Sequence, residues 1–468
     1  MRDHPTRREL IAGGASLAAA GWLVAGTAGA KPSPALQQLR RQLKGPMLLP
    51  SSSKAFVFNT RFAGIRPLAV VQAANASDVQ ACVRWAARHD VPIRARSGGH
   101  SYGGYCTAKG GLVVDLRRFN SVSLSGSTIT AGAATNLIDL YAALARHGAT
   151  TPGGSCPTVG LAGLALGGGI GLAGRAFGLT CDNIRAVQIV TADGKVRTAD
   201  ANSNPGLFWA CRGGGGGNFG IVTRLQLRAH RVSSASWFRI TFPWSQASEA
   251  LAAWQELAPH APAALTALFT LAEGRSASCQ GQLLGPQAQL RRLITPLLHV
   301  SGASLSIGTL GYLAMMQHWA GCAGETVDEC DRFSPQPFDA GSDYVARPLS
   351  SRGRAAAIRA VELGGGTLLF DAYGGAINKV APDATAFVHR RQLFAIQYYA
   401  PGGSTKWVQQ ARRLMKPFVS GQCYQNYIDP QLGDWQHAYY GQNWQRLQAV
   451  KARYDPHQVF RFAQSITP

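Results

Sequence analysis

The chain has 468 residues, enough for two or three domains at about 100–200 residues each. Hydrophobic residues make up 46% and charged residues 15%, which excludes an intrinsically disordered chain and provides for a large core. The formal net charge is +22, but the basic residues fall in short pairs such as Arg40-Arg41 and Arg412-Arg413, with no basic helix or RNA-binding signature, so a nucleic-acid partner is not expected.

In chain order, Thr6-Arg7-Arg8-Glu9-Leu10-Ile11 sets a twin arginine before an apolar run from Ile11 to Ala25, and Ala28-Gly29-Ala30 supplies small residues for cleavage. This pattern predicts an export signal over 1–30 of the twin-arginine type, cleaved before Lys31, with a periplasmic or secreted product. The run is short and rich in Ala and Gly, and no other stretch is apolar enough to span a bilayer, so stable membrane insertion is not expected.

Val70 to Pro92 reads as a strand leading into an amphipathic helix, which Ser77-Asp78 opens and whose Val79, Cys82, Val83 and Ala86 share one face. Ile93-Arg94-Ala95-Arg96 alternates like a short strand and breaks into Ser97-Gly98-Gly99-His100, whose bare amides suit phosphate oxygens. Leu112 to Leu116 and Ile129 to Gly132 read as strands, and Asn136 to His147 as a helix closed by Gly148. From Thr151 to Gly178 no period is sustained, which predicts a backbone-lined surface in place of a packed element. Ala186 to Val190 and Val196 to Thr198, joined through Asp193-Gly194, form a predicted hairpin. After the five-glycine run Gly213 to Gly217, glycine loops thin out from about Val232, and mixed strands and helices follow to about Gly421. The last segment, from Tyr424, is again dense in aromatics.

Gly169-Ile170-Gly171-Leu172-Ala173-Gly174 satisfies GxGxxG, with Asp193 at a suitable distance for a ribose-binding acid. Its context argues against a nicotinamide site, because it follows a glycine-rich loop and not a hydrophobic strand. No P-loop is present, and no CxxC, so no metal site is expected. Nine cysteines leave one over if all the others pair, and Cys322 and Cys330 could close a small loop.

The pair of motifs Arg96-Ser97-Gly98-Gly99-His100-Ser101 and Gly153-Gly154-Ser155-Cys156-Pro157-Thr158-Val159-Gly160 resembles the berberine bridge enzyme-like FAD-linked oxidases, which carry the vanillyl-alcohol-oxidase or PCMH type of flavin domain. The likeness runs over nearly all of the mature chain. It implies an α+β fold with an FAD-binding domain over 50–232, a substrate domain with an antiparallel sheet over 233–423, and a C-terminal segment, 424–468, that returns to the FAD domain. It also implies FAD held by two covalent bonds, His100 to the 8α-methyl and Cys156 to C6 of the flavin. Setting Cys156 aside leaves an even eight cysteines.

By the same resemblance Arg94 to Ser101, with Arg96, Ser97, Gly98, Gly99 and Ser101, would form the pyrophosphate loop. Gly160, Gly163, Gly168 and Gly171 would lie under the isoalloxazine, Gly217, Asn218, Gly220 and Val222 behind the adenosine half, and Tyr440 and Asn443 in the returning segment. Tyr427, second tyrosine of Tyr424-Gln425-Asn426-Tyr427, would take the substrate hydroxyl proton, with Asp371 as its hydrogen-bond acceptor or relay and Gln397 at the substrate. Val159 resembles the residue that admits oxygen, which favours an oxidase forming hydrogen peroxide over a dehydrogenase or an oxidative cyclase. Ala395 departs from the lysine of some plant relatives. A small-molecule substrate and O2 are the expected partners, and oligosaccharides, other alcohols and secondary-metabolite intermediates all remain candidate substrates. The competing readings are a nicotinamide dehydrogenase at Gly169 to Gly174 and a basic envelope-binding protein with an inert flavin fold.

Overall fold

The computed structural model describes residues 33–49 and 57–468, so the predicted export signal over 1–30 lies outside the described residues. Strands β1 (Met47–Leu48), β2 (Ala69–Gln72), β3 (Ile93–Arg96) and β4 (Leu112–Asp115) form a sheet in the order β1-β2-β4-β3, its last three strands parallel. Parallel strands covered on both faces read as unbroken apolar runs, and Val70, Val71, Leu112, Val113 and Val114 are all buried. Helix α1 (Ala76–His89) makes the crossover from β2 to β3.

The cap of α1 differs from expectation: Asn75 caps it by accepting from Asp78 N. The Asp78 carboxylate instead accepts from the backbone N–H groups of Lys44, Gly45 and Ala74 at 2.8–2.9 Å. It ties the segment before β2 to the helix.

An antiparallel sheet follows, of β5 (Val122–Ser125), β6 (Thr128–Gly132), β7 (Ile184–Val190), β8 (Val196–Asp200) and β9 (Ile221–Arg228), in the order β5-β6-β9-β7-β8. The predicted hairpin is β7-β8, and its turn glycine, Gly194, has φ +71°. Asp193 sits in that turn, paired with Arg197 at 2.7 Å. Between β6 and β7 the chain carries helix α2 (Leu137–Ala145) and then, within the stretch expected to lack packed elements, helix α3 (Leu161–Leu166) and one turn at Gly174–Phe177. Periodicity missed α3 because six residues span under two turns. The stretch from 169 to 174 follows this helix, not a strand, as the rejection of a nicotinamide fingerprint requires.

The third sheet has seven antiparallel strands: β10 (Ser234–Phe242), β11 (Leu265–Ala272), β12 (Ser276–Leu283), β13 (Ser304–Gly311), β14 (Phe338–Val345), β15 (Thr367–Ala372) and β16 (Phe394–Pro401), in the order β13-β10-β12-β11-β15-β16-β14. Side chains alternate between the faces of a strand. Leu265, Ala267, Phe269 and Leu271 of β11, Leu368 and Phe370 of β15, and Phe394 and Ile396 of β16 join one core with helices α4 (Ala247–Leu257), α5 (Gln287–Leu298), α6 (Ser351–Glu362) and α7 (Thr405–Met415). The opposite face of these three strands turns to a cleft.

Two buried cations lock the parts together. Arg175, 1% exposed, donates to the carbonyls of Leu265, Pro259, Ala261 and Tyr373, at the ends of β11 and β15. Lys451, on helix α8 (Trp444–Tyr454), donates to Asn218 O, Phe460 O and Asp455 Oδ2 at 2.6–2.7 Å. Cys322 and Cys330 form a disulfide. The even count of the other cysteines has no bearing, however: Cys82, Cys106, Cys181, Cys211, Cys279 and Cys423 stay buried thiols. They fill cores as small apolar residues, and burial raises the pKa of each.

Candidate active site

The two glycine motifs meet backbone to backbone. A Cβ on Gly98 would stand 2.6 Å from Thr158 O and 3.2 Å from Gly160 Cα, and a Cβ on Gly160 would strike Ser97 and Gly98 N. Glycine at both positions therefore closes the two loops onto each other, which no side chain would permit. The second loop is fixed from behind, where Leu137 N and Ile138 N at the start of α2 donate to Val159 O and Pro157 O, both at 3.1 Å. With those amides engaged, Asn136 makes no side-chain cap and donates to Asp331 at 2.7 Å instead.

The loop contact brings His100 and Cys156 to one hydroxyl. Thr158 Oγ1 lies 2.9 Å from His100 Nε2 and 4.0 Å from Cys156 Sγ. The His100 ring is stacked on Phe58, with centroids 3.8 Å apart and planes at 19°. One side of the imidazole opens to the cleft, so it is only half-buried, yet the surrounding protein still holds its pKa down to about 3 through desolvation. A neutral imidazole keeps a lone pair and is a nucleophile.

The cleft runs from Arg94 and Tyr105, past both loops, to the free face of the seven-stranded sheet, and it encloses about 340 Å³. That face is set by alternation: Thr266 and Leu268 on β11, Thr367, Leu369 and Asp371 on β15, and Gln397 and Tyr399 on β16 all line it. Asp371 stands opposite Leu268 and Ala395, and Gln397 opposite Leu369 and Ser342.

The returning segment closes the remaining side. Tyr424 OH accepts from Gly169 N at 2.7 Å and from Asn426 Nδ2 at 2.9 Å, pinning the segment to the glycine-rich loop. Tyr427 is thereby held with its ring parallel to Tyr102, centroids 5.2 Å apart, and edge-on to Tyr424 at 4.9 Å. Gln397 Nε2 donates to Tyr102 OH at 3.0 Å. Strand, loop and tail residues thus converge on one end of the cleft.

All but three of the sequence-predicted site residues line this cleft. Arg96 does not: its guanidinium pairs with Asp115 at 2.9 Å, both groups nearly fully buried, and holds the end of β3 to β4. Gly168 packs against Phe387 and Tyr424, and Asn443 Nδ2 turns away to the carbonyls of Pro382 and Thr385. Phe58, Tyr102 and Thr158 also stand at this site, without a role expected from sequence. Thr158 carried a signal in its place two residues after Cys156, whereas Phe58 and Tyr102 are recognisable only once the chain is folded.

The residues present fit FAD. Gly163 and Gly217 are open to the cleft, a Cβ on the first meeting nothing within 4 Å and on the second only Phe462 at 3.8 Å, so bare backbone faces usable space. Arg94 Nε, Tyr105 OH, Gln397 Oε1, Gln425 Oε1 and Gln464 Oε1 are buried around the cleft with no hydrogen-bond partner among the described residues. Buried polar groups are ordinarily satisfied, and each one left alone costs about 1–3 kcal/mol. Such a mixed set of donors and acceptors matches a ligand that carries phosphates, amide-like ring edges and hydroxyls.

The FAD binding domain family matches residues 67–200, and the family described as berberine and berberine like matches residues 423–467. The chain is 35% identical over 423 residues to the uncharacterized FAD-linked oxidoreductase YgaK of Bacillus subtilis, covering 86% of this chain and 91% of that protein. It is 31% identical over 443 residues to the chitooligosaccharide oxidase of Gibberella zeae, covering 86% and 87%. The solved structure of BBE-like 1 from Physcomitrella patens superimposes with a TM-score of 0.88 at 34% identity, covering 92% of this chain and 98% of that one.

Proposed function

The chain belongs to the berberine bridge enzyme-like family of FAD-linked oxidoreductases, and we propose that it is an oxidase with bicovalent FAD that oxidises an alcohol or sugar carbon and forms hydrogen peroxide. The observation that carries this reading is the meeting of His100 and Cys156, distant in sequence, at one hydroxyl on the wall of a cleft that also holds Tyr427. His100 and Cys156 would hold the flavin, and the bare backbone at Gly163 and Gly217 leaves room for it. When bound, FAD supplies a two-electron acceptor for hydride and passes the electrons to O2.

The protein's own part is binding and proton handling. Tyr427 accepts the substrate hydroxyl proton, and its stacking on Tyr102 keeps the phenol from swinging out of reach. A phenol of ordinary acidity, near about 10, is protonated at neutral pH, so the base needs an outlet for its own proton. A carboxylate nearby disfavours a phenolate, so Asp371 acts as hydrogen-bond acceptor or relay, while Gln397, fixed through Tyr102, orients the substrate. Val159 leaves the flavin side of the cleft open to oxygen. The substrate is a small alcohol or carbohydrate, the class on which the chitooligosaccharide oxidase is named to act.

Acid precipitation of the denatured protein tests the tethers: a yellow pellet is expected, and a colourless one refutes covalent attachment. Peroxide release over a panel of sugars and alcohols tests the oxidase, whereas dye reduction without peroxide would make the protein a dehydrogenase. Export by the twin-arginine route is part of the same proposal, supported by Arg7-Arg8 ahead of an apolar run. N-terminal sequencing of the exported fraction should begin at Lys31, and retention of the whole protein in the cytoplasm would refute it.

A further inference from the structure

We propose that Thr158 is the positioning residue of covalent flavin attachment, its hydroxyl fixing the tautomer of His100 and linking the two tether loops. The inference rests on the bicovalent reading and assigns a chain residue that the reading leaves without a role.

An imidazole can form a bond to carbon through either ring nitrogen, and the one used must carry a lone pair while the other carries the proton. Thr158 Oγ1 lies 2.9 Å from Nε2, a contact in which either atom can donate, and the proposed tautomer puts the proton on Nε2 with the hydroxyl accepting. A hydrogen on Nε2 leaves Nδ1 as the nucleophilic nitrogen. The ring is held in this orientation, because Phe58 is stacked on it at 3.8 Å and hinders a flip that would put Cε1 where Nε2 stands beside Thr158. Burial keeps the imidazole from holding both protons at once.

The same hydroxyl lies 4.0 Å from Cys156 Sγ. Thr158 stands on the Cys156 loop and reaches the His100 loop, so one side chain sets the spacing of both nucleophiles around one ligand. The backbone contact of Gly98 with Gly160 sets the loops; Thr158 sets the side chains.

Each attachment replaces one C–H of the flavin, on the 8α-methyl for His100 and at C6 for Cys156, and one N–H or S–H of the protein. Two protons and two electrons leave per bond; the electrons pass into the flavin ring and from there to O2, giving one H2O2. As Nδ1 bonds to carbon the imidazole becomes cationic, and the proton it must lose is the one on Nε2, directed at Thr158 Oγ1.

The test follows covalent occupancy, separately for each link, by mass spectrometry of the peptides that contain His100 and Cys156, at fixed times after induction of the full chain. Loss of one well-aligned hydrogen bond corresponds to about a tenfold change in rate. Thr158→Val should therefore slow the His100 link about tenfold, and Thr158→Ser, which keeps the hydroxyl, should restore it. If valine disturbs folding, Thr158→Ala against Thr158→Ser gives the same comparison. Undiminished occupancy in Val or Ala would overturn the proposal, as would a serine variant as slow as the valine one, since the effect would then belong to packing. A wild-type chain lacking the His100 link would instead refute the bicovalent reading itself, a distinguishable result.

Discussion

Replacing Gly98 by alanine isolates the contact on which the site depends. The backbone at Gly98 is not left-handed, so the new methyl group introduces no dihedral strain, and its effect comes from overlap alone. The added carbon would stand 2.6 Å from Thr158 O, where ordinary contact begins at 3.4 Å. Gly160 N lies closer still, so the two loops must part by roughly 1 Å, and backbone cannot swing aside as a side chain can. Overpacking of this kind costs about 1–3 kcal/mol in stability. The larger effect is chemical, because a displacement of about 1 Å at reacting groups lowers rates by about 100-fold. Gly98→Ala should accordingly fold, with a lowered melting temperature, and carry FAD mostly through a single bond or none. Peptide mass spectrometry of the two links, together with a thermal melt, reads both effects. Full bicovalent occupancy with an unchanged melt would show that the loops are not held by this contact.

Three further outcomes are expected. Tyr427→Phe should remain yellow while substrate-driven bleaching at about 450 nm slows by about 100-fold or more; bleaching at the wild-type rate would remove Tyr427 from the chemistry. Cys156→Ala should keep the His100 link alone and have a lower flavin reduction potential, measured by dye equilibration, and a potential equal to the parent's would refute the electronic role of the second bond. The third concerns pH. Burial pulls the His389 imidazole down to about 4, against hydrogen bonds to Gln422 and Tyr439 O. Between about pH 6.5 and 4 the unfolded chain binds a proton that the folded chain does not, so stability falls as the pH falls through that window. Asp343, raised to about 6 by burial, acts in the opposite sense below its own value, so the variant comparison is needed: from pH 6.5 to 4.5 the parent should lose about 2–3 kcal/mol more than His389→Asn in urea unfolding. Equal losses would refute the assignment.

The legible parts of the site are those fixed by local constraints. Gly98 and Gly160 can be read from the sequence because the requirement for no side chain is absolute at a backbone contact, and it leaves a residue type behind. The paired motifs around His100 and Cys156 were readable for the same reason. Arg96 is less legible, because a buried arginine beside a phosphate-type loop looks the same in sequence whether it faces the loop's ligand or pairs, as it does with Asp115, with a carboxylate on the neighbouring strand. Asp78 was misread likewise, since a carboxylate at a helix start can cap its own helix or bind the amides of a distant segment. Cysteine parity failed because burial in separate cores satisfies a thiol as well as a disulfide does.

The seven-stranded sheet shows why cofactor and substrate differ in legibility. Its two faces obey one alternation, yet only one of them has its partner within the chain. Leu265, Ala267 and Phe269 must be apolar because α4 and its neighbours cover them, and a stretch of that kind identifies itself. Thr266, Leu268, Leu369, Asp371, Gln397 and Tyr399 face the cleft, and what each must be depends on a molecule the sequence does not contain. The strand pattern places Asp371 and Gln397 on that face, two positions chosen by register and not by chemistry, with Leu369 directly across from Gln397. Packing on the helix side therefore leaves the cleft side free to vary with little penalty to the fold. A family can keep the His100 and Cys156 loops while exchanging substrates through those alternate positions, and the residues that decide the substrate here are the ones that packing constrains least.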